Sequence, residues 1–497
     1  MSFLGTRRHS PHYKWWVLSC TSLGMLLATI NSGTLIIALP DLERSLHTTL
    51  LQLVWVILVY MIVSTVLVLT AGRLSDLFGR KNAYVLGFLL FGIASLGAGF
   101  AASGSELLGW RVLQGVGGAF LFANAAALVT DAFPRHELGL AMGTNTMVAA
   151  VGLVAGPVLG GGLVAIGWSW VFWFNIPFAV AGCVWGWAVL EERSGRSTER
   201  GLDLPGVASY IIGLTALVFA LSKGGLSGWL NVQVIGGLVV AAVFLPLFVL
   251  IERRTAAPML DLSLFRDRLF AAASVASFMN GLSRFALMFL FVFYFQGPQG
   301  RSPVIAGLEL APMAVGMLVS SPLAGIAADR HGSRGLAALG MLVTALGLGA
   351  MTTLQAHSPY WQSAIWLALV GIGSGLFNSP NTAAMMGSVP VHRRGIAAGA
   401  RVMLQNTGAV ISIAFVMAIV TSAVPKVVLF KIFSGLTSGL SERSLEPFIA
   451  NMHLALWVLA AVSLAGAGIS MLRPAHVHVR GDANDEAAAE ALLEAPA

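Results

Sequence analysis

The sequence predicts an all-α integral membrane protein with fourteen transmembrane helices, arranged as two pseudo-symmetric six-helix bundles with two inserted helices linking them. Three observations lead to this fold class. The 497 residues are 57% hydrophobic and only 10% charged, which is too apolar for a soluble domain. Fourteen apolar runs are long enough to cross a bilayer. A short polar motif follows the second run and recurs after the tenth.

The apolar runs define the helices in chain order, because a membrane-spanning helix needs about 20 predominantly apolar residues. The predicted spans lie near residues 15–39, 51–71, 83–102, 106–130, 138–163, 170–190, 204–222, 233–251, 269–296, 304–326, 336–355, 361–386, 396–420 and 450–472. The 56 glycines suit such helices, since small residues let neighbouring backbones approach closely in lipid. Cys20 and Cys183 both lie inside apolar runs, so they indicate neither a disulfide framework nor a metal site.

The polar motif divides the chain into two halves. Residues 72–81 read Gly-Arg-Leu-Ser-Asp-Leu-Phe-Gly-Arg-Lys, and residues 325–334 repeat the frame Gly-x3-Asp-x2-Gly-x-basic. Each copy follows the second helix of a six-helix unit, so the seventh and eighth spans are an insertion between the halves. The predicted segments are a cytoplasmic N-terminus (1–14), an N-terminal bundle (15–190), a linker with the two inserted helices (191–268), a C-terminal bundle (269–472) and a disordered cytoplasmic tail (473–497).

The distribution of basic residues predicts the orientation in the membrane. Most of the 29 lysines and arginines fall in the segments that are cytoplasmic if the N-terminus is cytoplasmic. The positive-inside rule therefore places both termini in the cytoplasm of a multi-pass cell-membrane protein. The net charge of +7 follows from this topology and does not indicate a nucleic-acid partner.

Three motifs resemble those of the major facilitator superfamily, and within it the fourteen-helix drug:proton antiporters. They are the polar motif at 72–81, the sequence Arg111-Val-Leu-Gln114-Gly115 in the fourth span, and Gly152-x3-Gly156-Pro157-x2-Gly160-Gly161 in the fifth. The third motif is associated in that family with exporters. The resemblance covers nearly the whole chain and implies a monomeric secondary transporter that exchanges protons for small lipophilic substrates among membrane lipids.

The polar motif is interpreted as a cytoplasmic gate. An aspartate there can accept hydrogen bonds from helix N-termini and pair with the neighbouring basic side chains, while the glycines permit tight turns. The alternative is that these charges only set topology or contact anionic lipids. The predicted gate residues are Gly72, Arg73, Asp76, Gly79, Arg80 and Lys81, with Asp329 and Arg330 in the second copy.

The fifth span carries a stripe of glycines on one helix face. Gly152, Gly156 and Gly160 are spaced four apart, so another helix can approach closely along this face. Pro157 removes a backbone donor and bends the helix. Together with Gly161, the motif predicts a hinge or a tight seal between the halves; a purely structural packing groove is the alternative.

Arg111 and Asn31 are the candidate proton-coupling residues of the N-terminal half. A charge inside a membrane helix costs at least ~2.5–3.5 kcal/mol and is usually kept for function. The resemblance implies that Arg111 tunes a proton-binding group or fixes the first span. The alternative is a structural role, in which Arg111 snorkels outward or bonds to loose backbone carbonyls. Gln114 lies three residues later on the same helix face and is predicted to line the central cavity. The family usually has an aspartate nine residues before Pro40, but this chain has Asn31, which cannot titrate.

Glu309 is therefore the candidate proton carrier, because it is the one acid within the spans of the C-terminal half. Desolvation inside a helix favours proton uptake by a carboxylate near neutral pH. The alternative is a solvated carboxylate at the rim. Arg284 in the ninth span either recognises an anionic group of the substrate or bonds to Asn280. The remaining predicted cavity residues are Asn378, Asn381 and Gln405, for which hydrogen bonds between helices are the alternative.

No motif of an enzyme appears in the sequence. A phosphate-binding loop needs Gly-x4-Gly-Lys-Ser/Thr, which is missing, and no nucleophile elbow or metal-binding pattern is present. The chain is thus predicted to need no cofactor or metal and to catalyse no reaction. Two functions remain: proton-coupled export of lipophilic drugs or metabolites, and export or flipping of lipids or other amphiphiles with weak or no coupling. Intact gate and cavity motifs argue against a transport-inactive scaffold.

Overall fold

The computed structural model describes residues 12–133, 137–192, 203–255, 258–389, 394–425, 428, 431 and 442–474. Within these residues every regular element is a helix. Most of the predicted N-terminal segment and of the predicted tail lies outside the described residues. The side chains of Asp76, Asp329 and Pro157 also lie outside the described part, although their backbones belong to helices.

Two sets of long helices flank a pair of linking helices. The first set is α1 (Tyr13–Leu46), α2 (Leu50–Phe78), α3 (Arg80–Gly99), α4 (Gly104–Ala132), α5 (Leu138–Ile166), α6 (Trp170–Trp173) and α7 (Asn175–Val189). The linking pair is α8 (Leu204–Ser227) and α9 (Val232–Arg254), followed by a 3₁₀ turn at Leu262–Arg266. The second set is α10 (Arg268–Gln296), α11 (Pro303–Glu309), α12 (Ala311–His331), α13 (Ser333–Ala350), α14 (Tyr360–Gly387), α15 (Arg394–Ala423) and α16 (Glu442–Met471), with a 3₁₀ turn at Met351–Thr353.

These helices coincide with the predicted spans. Thirteen helical stretches in the described residues are long and apolar enough to cross a membrane. The 29-residue helix α5 matches the fifth predicted span but is not among the thirteen, and several of its side chains lie outside the described part. The chain is therefore a membrane protein with many spanning helices.

Two predicted spans are interrupted. The sixth is divided into α6 and α7 at Phe174, and the tenth is divided into α11 and α12 at Leu310. The second interruption has a clear cause: Pro312 lies at the start of α12, where its ring and missing N–H fit the first turn of a helix but not an interior. Glu309 is consequently the last residue of a short helix, at a break within the membrane-spanning stretch Val304–Ala328.

Short polar residues start several of the helices. Thr49 accepts a hydrogen bond from the backbone N–H of Gln52, whose side chain accepts one from the Thr49 N–H, which is a capping box. Asp203 and Asp267 cap α8 and α10 in the same way, accepting from the backbone N–H three residues later. These caps satisfy N–H groups that a helix leaves unbonded where it begins.

Each set of helices packs mainly within itself. In the first set α1 packs against α5, α2 and α3 pack against α4, and α3 packs against α7. In the second set α10 packs against α15, α12 and α13 pack against α14, and α13 packs against α16. The sets meet where α2 contacts α15 and where α5 contacts α11 and α12. Helix α8 packs on both α2 and α15, so the linking pair lies beside this seam.

Glycines set the closest of these contacts. A Cβ atom at Gly371 in α14 would overlap the backbone carbonyl oxygen of Met313, and one at Gly281 in α10 would overlap that of Gln405. The obstacles are backbone atoms, which cannot rotate away. Dispersion contact between closely spaced backbones replaces the hydrophobic driving force that is missing between helices in lipid.

Replacing Gly371 by alanine should therefore destabilise the protein by about 1–3 kcal/mol, the range for overpacking, because α12 and α14 must separate. Gly468→Ala is the matched control, since a Cβ atom at Gly468 has no neighbouring atom within 4 Å. Thermal unfolding of the purified protein in detergent measures both changes. An unfolding temperature of Gly371→Ala equal to that of the control would contradict this account of the contact.

Candidate functional site

A buried hydrogen-bonded network surrounds Arg111 in the first set of helices. The Arg111 Nε donates to the backbone carbonyl oxygen of Val56 in α2 at 2.8 Å, and its Nη1 donates to Gln114 Oε1. Gln114 Nε2 in turn donates to Asn31 Oδ1 in α1 at 3.2 Å. All three side chains are fully buried. Arg111 therefore reaches Asn31 through Gln114 and not directly, and it ties α4 to α2 and α1.

Three further side chains complete this network, and the sequence analysis did not identify them. Ser95 Oγ accepts a hydrogen bond from Gln114 at 2.8 Å, and Asn175 Nδ2 donates to Asn31 Oδ1 at 3.3 Å. The guanidinium group of Arg111 stacks on the Tyr60 ring at 4.5 Å from its centroid. Polar residues isolated within apolar runs were the available signal for Ser95 and Asn175.

The network keeps unused hydrogen-bonding capacity. Among the described residues, Arg111 Nη2, Asn31 Nδ2 and Asn175 Oδ1 are buried and have no hydrogen-bond partner. Buried polar groups are normally satisfied, and exceptions occur where an ion, a water molecule or a proton binds. The network thus has two unused donors, on Arg111 and Asn31, and one unused acceptor, on Asn175.

The small face of α4 does not line an open cavity, in contrast to the prediction for Gln114. A Cβ atom at Gly115 would lie 2.8 Å from Val63 Cβ, and one at Gly118 would lie 2.9 Å from Tyr60 Oη. Both contacts are with α2. The glycines let α2 approach so closely that the face is filled by protein, which explains why Gln114 is fully buried.

The glycine face of α5 lies against α1, in the same set of helices, and not between the halves. A Cβ atom at Gly156 would lie 2.8 Å from Gly33 Cα, and one at Gly160 would lie 2.8 Å from Thr34 Cα. Gly152 faces Thr29, and Gly161 is also buried. The motif thus packs α5 tightly onto the helix that carries Asn31, while other residues of α5 contact α11 and α12.

A second polar network joins α10, α14 and α15. Gln405 Nε2 donates to Asn378 Oδ1 at 3.0 Å and to Asn280 Oδ1 at 3.4 Å. Arg401 Nη1 donates to Gln405 Oε1 at 3.2 Å. Two of the predicted cavity residues, Asn378 and Gln405, are therefore brought together with Asn280, and Arg401 adds a positive charge.

Arg284 lies one helical turn after Asn280 and is 6% exposed. Its guanidinium group stacks on the Phe285 ring at 4.4 Å, and its Nη1 lies 3.9 Å from the Met317 sulfur. Its Nε has no hydrogen-bond partner in the described part of the chain. A thioether is a weak acceptor, so the charge of Arg284 is poorly compensated.

Glu309 is nearly buried but has a basic partner. Its side chain is 10% exposed, and its Oε1 lies 3.2 Å from the Nε of Arg301 in the preceding loop. Its other carboxylate oxygen, Oε2, is buried without a partner among the described residues. The Tyr360 hydroxyl donates to the Glu309 backbone carbonyl oxygen at 3.4 Å. Arg284 and Glu309 do not form an ion pair.

Asn381 belongs to a different cluster from the other predicted cavity residues. Its Nδ2 donates to Ser277 Oγ at 2.7 Å, and its Oδ1 accepts from the guanidinium group of Arg473 at 2.5 Å. Arg473, the first residue of the predicted tail, is fully buried, and burial lowers its pKa to about 10. Arg473 therefore packs into the C-terminal bundle, one residue beyond its predicted boundary.

The predicted gate motif forms two helices and a one-residue turn, and not a loop. Gly72 lies inside α2, where a Cβ atom would meet only Ala123 Cβ at 3.8 Å. Gly79 alone makes the turn, with φ of 101°, and Gly332 makes the corresponding turn in the second copy with φ of 81°. Such backbone angles favour glycine because it lacks a Cβ atom.

The basic residues of the first copy each have a defined contact. Arg80 Nη1 donates to both carboxylate oxygens of Asp131 in α4, at 2.7 and 2.6 Å. Lys81 lies over the Trp187 ring, and Arg73 donates to the Pro258 carbonyl oxygen at 3.3 Å. In the second copy, Arg330 is exposed at the end of α12.

An acid beyond the motif caps α3. Glu192 Oε1 accepts a hydrogen bond from the backbone N–H of Arg80 at 3.0 Å, where the positive end of the helix dipole favours a carboxylate. This is the role that the sequence assigned to Asp76, whose side chain lies outside the described part. The basic side chains of the motif thus connect the α2–α3 turn to three neighbours: Arg80 to α4, Lys81 to α7, and Arg73 to the segment after α9.

Separating Arg80 from Asp131 should weaken the end of the first bundle that carries the α2–α3 turn. Arg80→Asp and Asp131→Arg each place like charges together and should lower stability by about 0.5–1 kcal/mol, since the pair is partly exposed. The double variant restores the pair and should recover most of the loss. Thermal unfolding in detergent at low and high salt tests this; additive losses in the double variant would show that the pair does not interact.

Comparison with known proteins identifies the family of this chain. A family model described as Major Facilitator Superfamily matches residues 21–265 and 273–493. The Tetracenomycin C resistance and export protein of Streptomyces glaucescens is 30% identical over 395 residues, which cover 79% of this chain and 73% of that protein. The Multidrug resistance protein Stp of Mycobacterium tuberculosis (strain CDC 1551 / Oshkosh) is 34% identical over 384 residues, covering 77% of this chain and 71% of that protein.

Another relative and a solved structure extend the comparison. The Riboflavin transporter RibZ of Clostridioides difficile (strain 630) is 28% identical over 403 residues, which cover 81% of this chain and 87% of that protein. The structure of the proton:xylose symporter XylE bound to 6-bromo-6-deoxy-D-glucose superposes with a TM-score of 0.61 at 15% identity, covering 93% of this chain and 96% of that chain. At this level of identity the likeness concerns the fold alone.

Proposed function

Because the chain belongs to the major facilitator superfamily of membrane transporters, we propose that it exports lipophilic drugs or metabolites from the cell in exchange for protons. The observation that carries this proposal is the buried network around Arg111, which joins α1, α2 and α4 inside the membrane. A buried guanidinium group is costly in lipid and is retained where it serves transport. The names of two relatives, a resistance and export protein and a multidrug resistance protein, support the direction and the substrates.

We propose further that the fourteen helices form two pseudo-symmetric bundles that rock about a central site. The helix pairs support this, because α1 with α5 corresponds to α10 with α15, and α2 with α4 corresponds to α12 with α14. The one-residue turns at Gly79 and Gly332 correspond in the same way. Alternating access by two repeats is the common mechanism of such transporters. The distribution of basic residues supports cytoplasmic termini, and the protein works as a monomer in the cell membrane.

Glu309 is the proposed proton carrier. It lies at the end of α11, and α11 packs against α5 of the other half. Protonation would neutralise Glu309 and release its attraction to Arg301 at the outer side of this contact. Loss of this ion pair within the second half would free the end of α11, the helix that packs against α5, and would thereby couple protonation to the change of access.

A second function is export or flipping of lipids or other amphiphiles without strong proton coupling. Asn31 supports it, because an asparagine in that network cannot carry a proton. A groove of about 620 Å³ between α2, α8 and α9 also supports it, since Trp55, Ile211 and Phe219 make its walls apolar. Helix α9 leaves most of its apolar surface exposed, as expected for a surface in contact with lipid.

The two functions differ in their response to a pH gradient. Purified protein in proteoliposomes is supplied with ethidium, Nile red and fluorescein, which are cationic, neutral and anionic dyes. Proton antiport predicts that an imposed pH gradient drives at least one dye against its concentration gradient. Dye movement that is only downhill and independent of the pH gradient would contradict antiport and favour the second function.

Glu309→Gln should abolish most of the uphill transport in this assay while downhill movement continues, because glutamine keeps the shape of the side chain but cannot carry a proton. Glu106→Gln is the control: Glu106 is an exposed carboxylate whose oxygen accepts a hydrogen bond from the Ala102 N–H. Unchanged uphill transport by Glu309→Gln would exclude Glu309 as the carrier.

Asn31→Asp should add a titratable group to the Arg111 network without disrupting it. The oxygen that accepts hydrogen bonds from Gln114 and Asn175 is retained, and the second oxygen replaces an amide nitrogen that has no acceptor among the described residues. We expect normal folding and a steeper dependence of dye export on the pH gradient. Asn31→Leu, which cannot titrate, should show no such gain. If dye export by Asn31→Asp depended on the pH gradient no more steeply than export by the unmodified protein, position 31 would have no role in proton coupling.

A further inference from the structure

We propose that the transported molecule is an anionic amphiphile, with a carboxylate or phosphate group that binds Arg284 and an apolar body that lies among the neighbouring methionine and aromatic side chains. This inference rests on the proposed transport function and names its substrate class. Inside the spanning helices, the described arginines outnumber the acidic side chains that could pair with them.

Three arginines lie inside the spanning helices without an acidic partner. In the described part of the chain, no carboxylate lies within 4 Å of Arg111, Arg284 or Arg401. Glu309, the acid predicted within the spans of the second half, faces a fourth arginine, Arg301. The interior therefore has an excess of positive charge, which attracts anions and repels cations in a low-dielectric environment.

Arg284 is the cation best placed to bind a substrate group. Arg111 already donates to Val56 and Gln114, and it stacks on Tyr60. Arg284 has only a ring and a thioether as neighbours for its guanidinium group, and its Nε has no acceptor in the described residues. A nearly buried guanidinium group with no oxygen ligand among the described residues is unfavourable, and an anion would complete the site.

The surrounding side chains supply the rest of the site. Asn280, one turn before Arg284, is hydrogen-bonded to Gln405, and Gln405 also accepts from Arg401. This chain of polar groups begins at the guanidinium group of Arg401 and ends at Asn280, one helical turn before Arg284. Uncharged donors near a cation add hydrogen bonds to a carboxylate or phosphate and position it.

The apolar body of the substrate has a matching environment. Met317 lies against Arg284, and Met341 lies against Asn280. Methionine side chains are flexible and polarisable, so they adapt to apolar groups of different shapes. Beyond Arg284, α10 continues with buried aromatic residues, including Phe289 and Phe293. A charged head next to such walls selects an amphiphile over a small hydrophilic anion.

A series of ligands with one tail and different head groups tests the inference. Full-length protein in phosphatidylcholine nanodiscs binds radiolabelled laurate, and the competitors are dodecyl phosphate, dodecanol and dodecyltrimethylammonium. We expect laurate and dodecyl phosphate to bind at least about tenfold more tightly than dodecanol, as a hydrogen-bonded charged group requires. The stronger of the two anions then identifies the head group.

Variants connect this selectivity to Arg284. Arg284→Gln should weaken laurate binding roughly tenfold and leave dodecanol binding unchanged, whereas Arg284→Lys should keep a clear preference for laurate because the charge remains. Arg254→Gln is the matched control, since Arg254 is exposed at the cytoplasmic end of α9. Unchanged laurate affinity in Arg284→Gln would overturn the assignment of Arg284.

The head-group preference of the unmodified protein tests the substrate class even if a variant fails to fold. Binding of dodecyltrimethylammonium equal to or tighter than that of laurate would overturn the inference. The binding assay contains no pH gradient, so a failure of proton antiport leaves its result intact. Uphill export of ethidium without any export of fluorescein would contradict the anionic substrate while the proposed antiport stands.

Discussion

A lipid bilayer provides no water to a buried guanidinium group, and this constraint organises the interior of the protein. Arg111 meets it with a backbone carbonyl oxygen, a glutamine and the face of Tyr60. These partners come from two helices, so satisfying one charge also fixes how α2 and α4 pack. Arg473 does the same in the second half by joining α16 to Asn381 of α14. Arg284 is the exception, and the missing ligands make it the centre of the substrate proposal.

Close packing at glycines is the second organising constraint. The glycine faces of α4, α5, α10 and α14 bring helix backbones into contact within each half. Contacts between the halves are fewer and lie at α2 with α15 and at α5 with α11 and α12. Two rigid bundles joined by a smaller interface can move relative to one another without repacking their interiors. Glu309 ends α11, one of the helices of that smaller interface, and it contacts Arg301 and Tyr360 of its own half.

The two halves differ in their electrostatics although they share an arrangement of helix pairs. Among the described residues the first half contains one buried arginine, in a network of amides and hydroxyls, and Asn31 of this network stands where the drug:proton antiporters that the sequence resembles usually have an aspartate. In the second half Arg284 lies one turn after Asn280, Arg401 lies one turn before Gln405, and the acid Glu309 lies beside Arg301. The proposed proton carrier and the proposed substrate-binding arginine thus both belong to the second half, on α11 and α10 respectively.

The sequence by itself determined the membrane class and the positions of the helices, because hydrophobicity over about 20 residues is a local property. Its repeated motif predicted two related halves. The sequence also identified Arg111, Asn31 and Glu309 as unusual, since a polar residue in an apolar run is visible without a structure. Only the tertiary structure decided the partners. Asp131 pairs with Arg80, Arg473 with Asn381, and the α5 glycines face α1. These partners lie far apart in the chain, and the choice among them depends on how the helices rotate and pack, which no local pattern records.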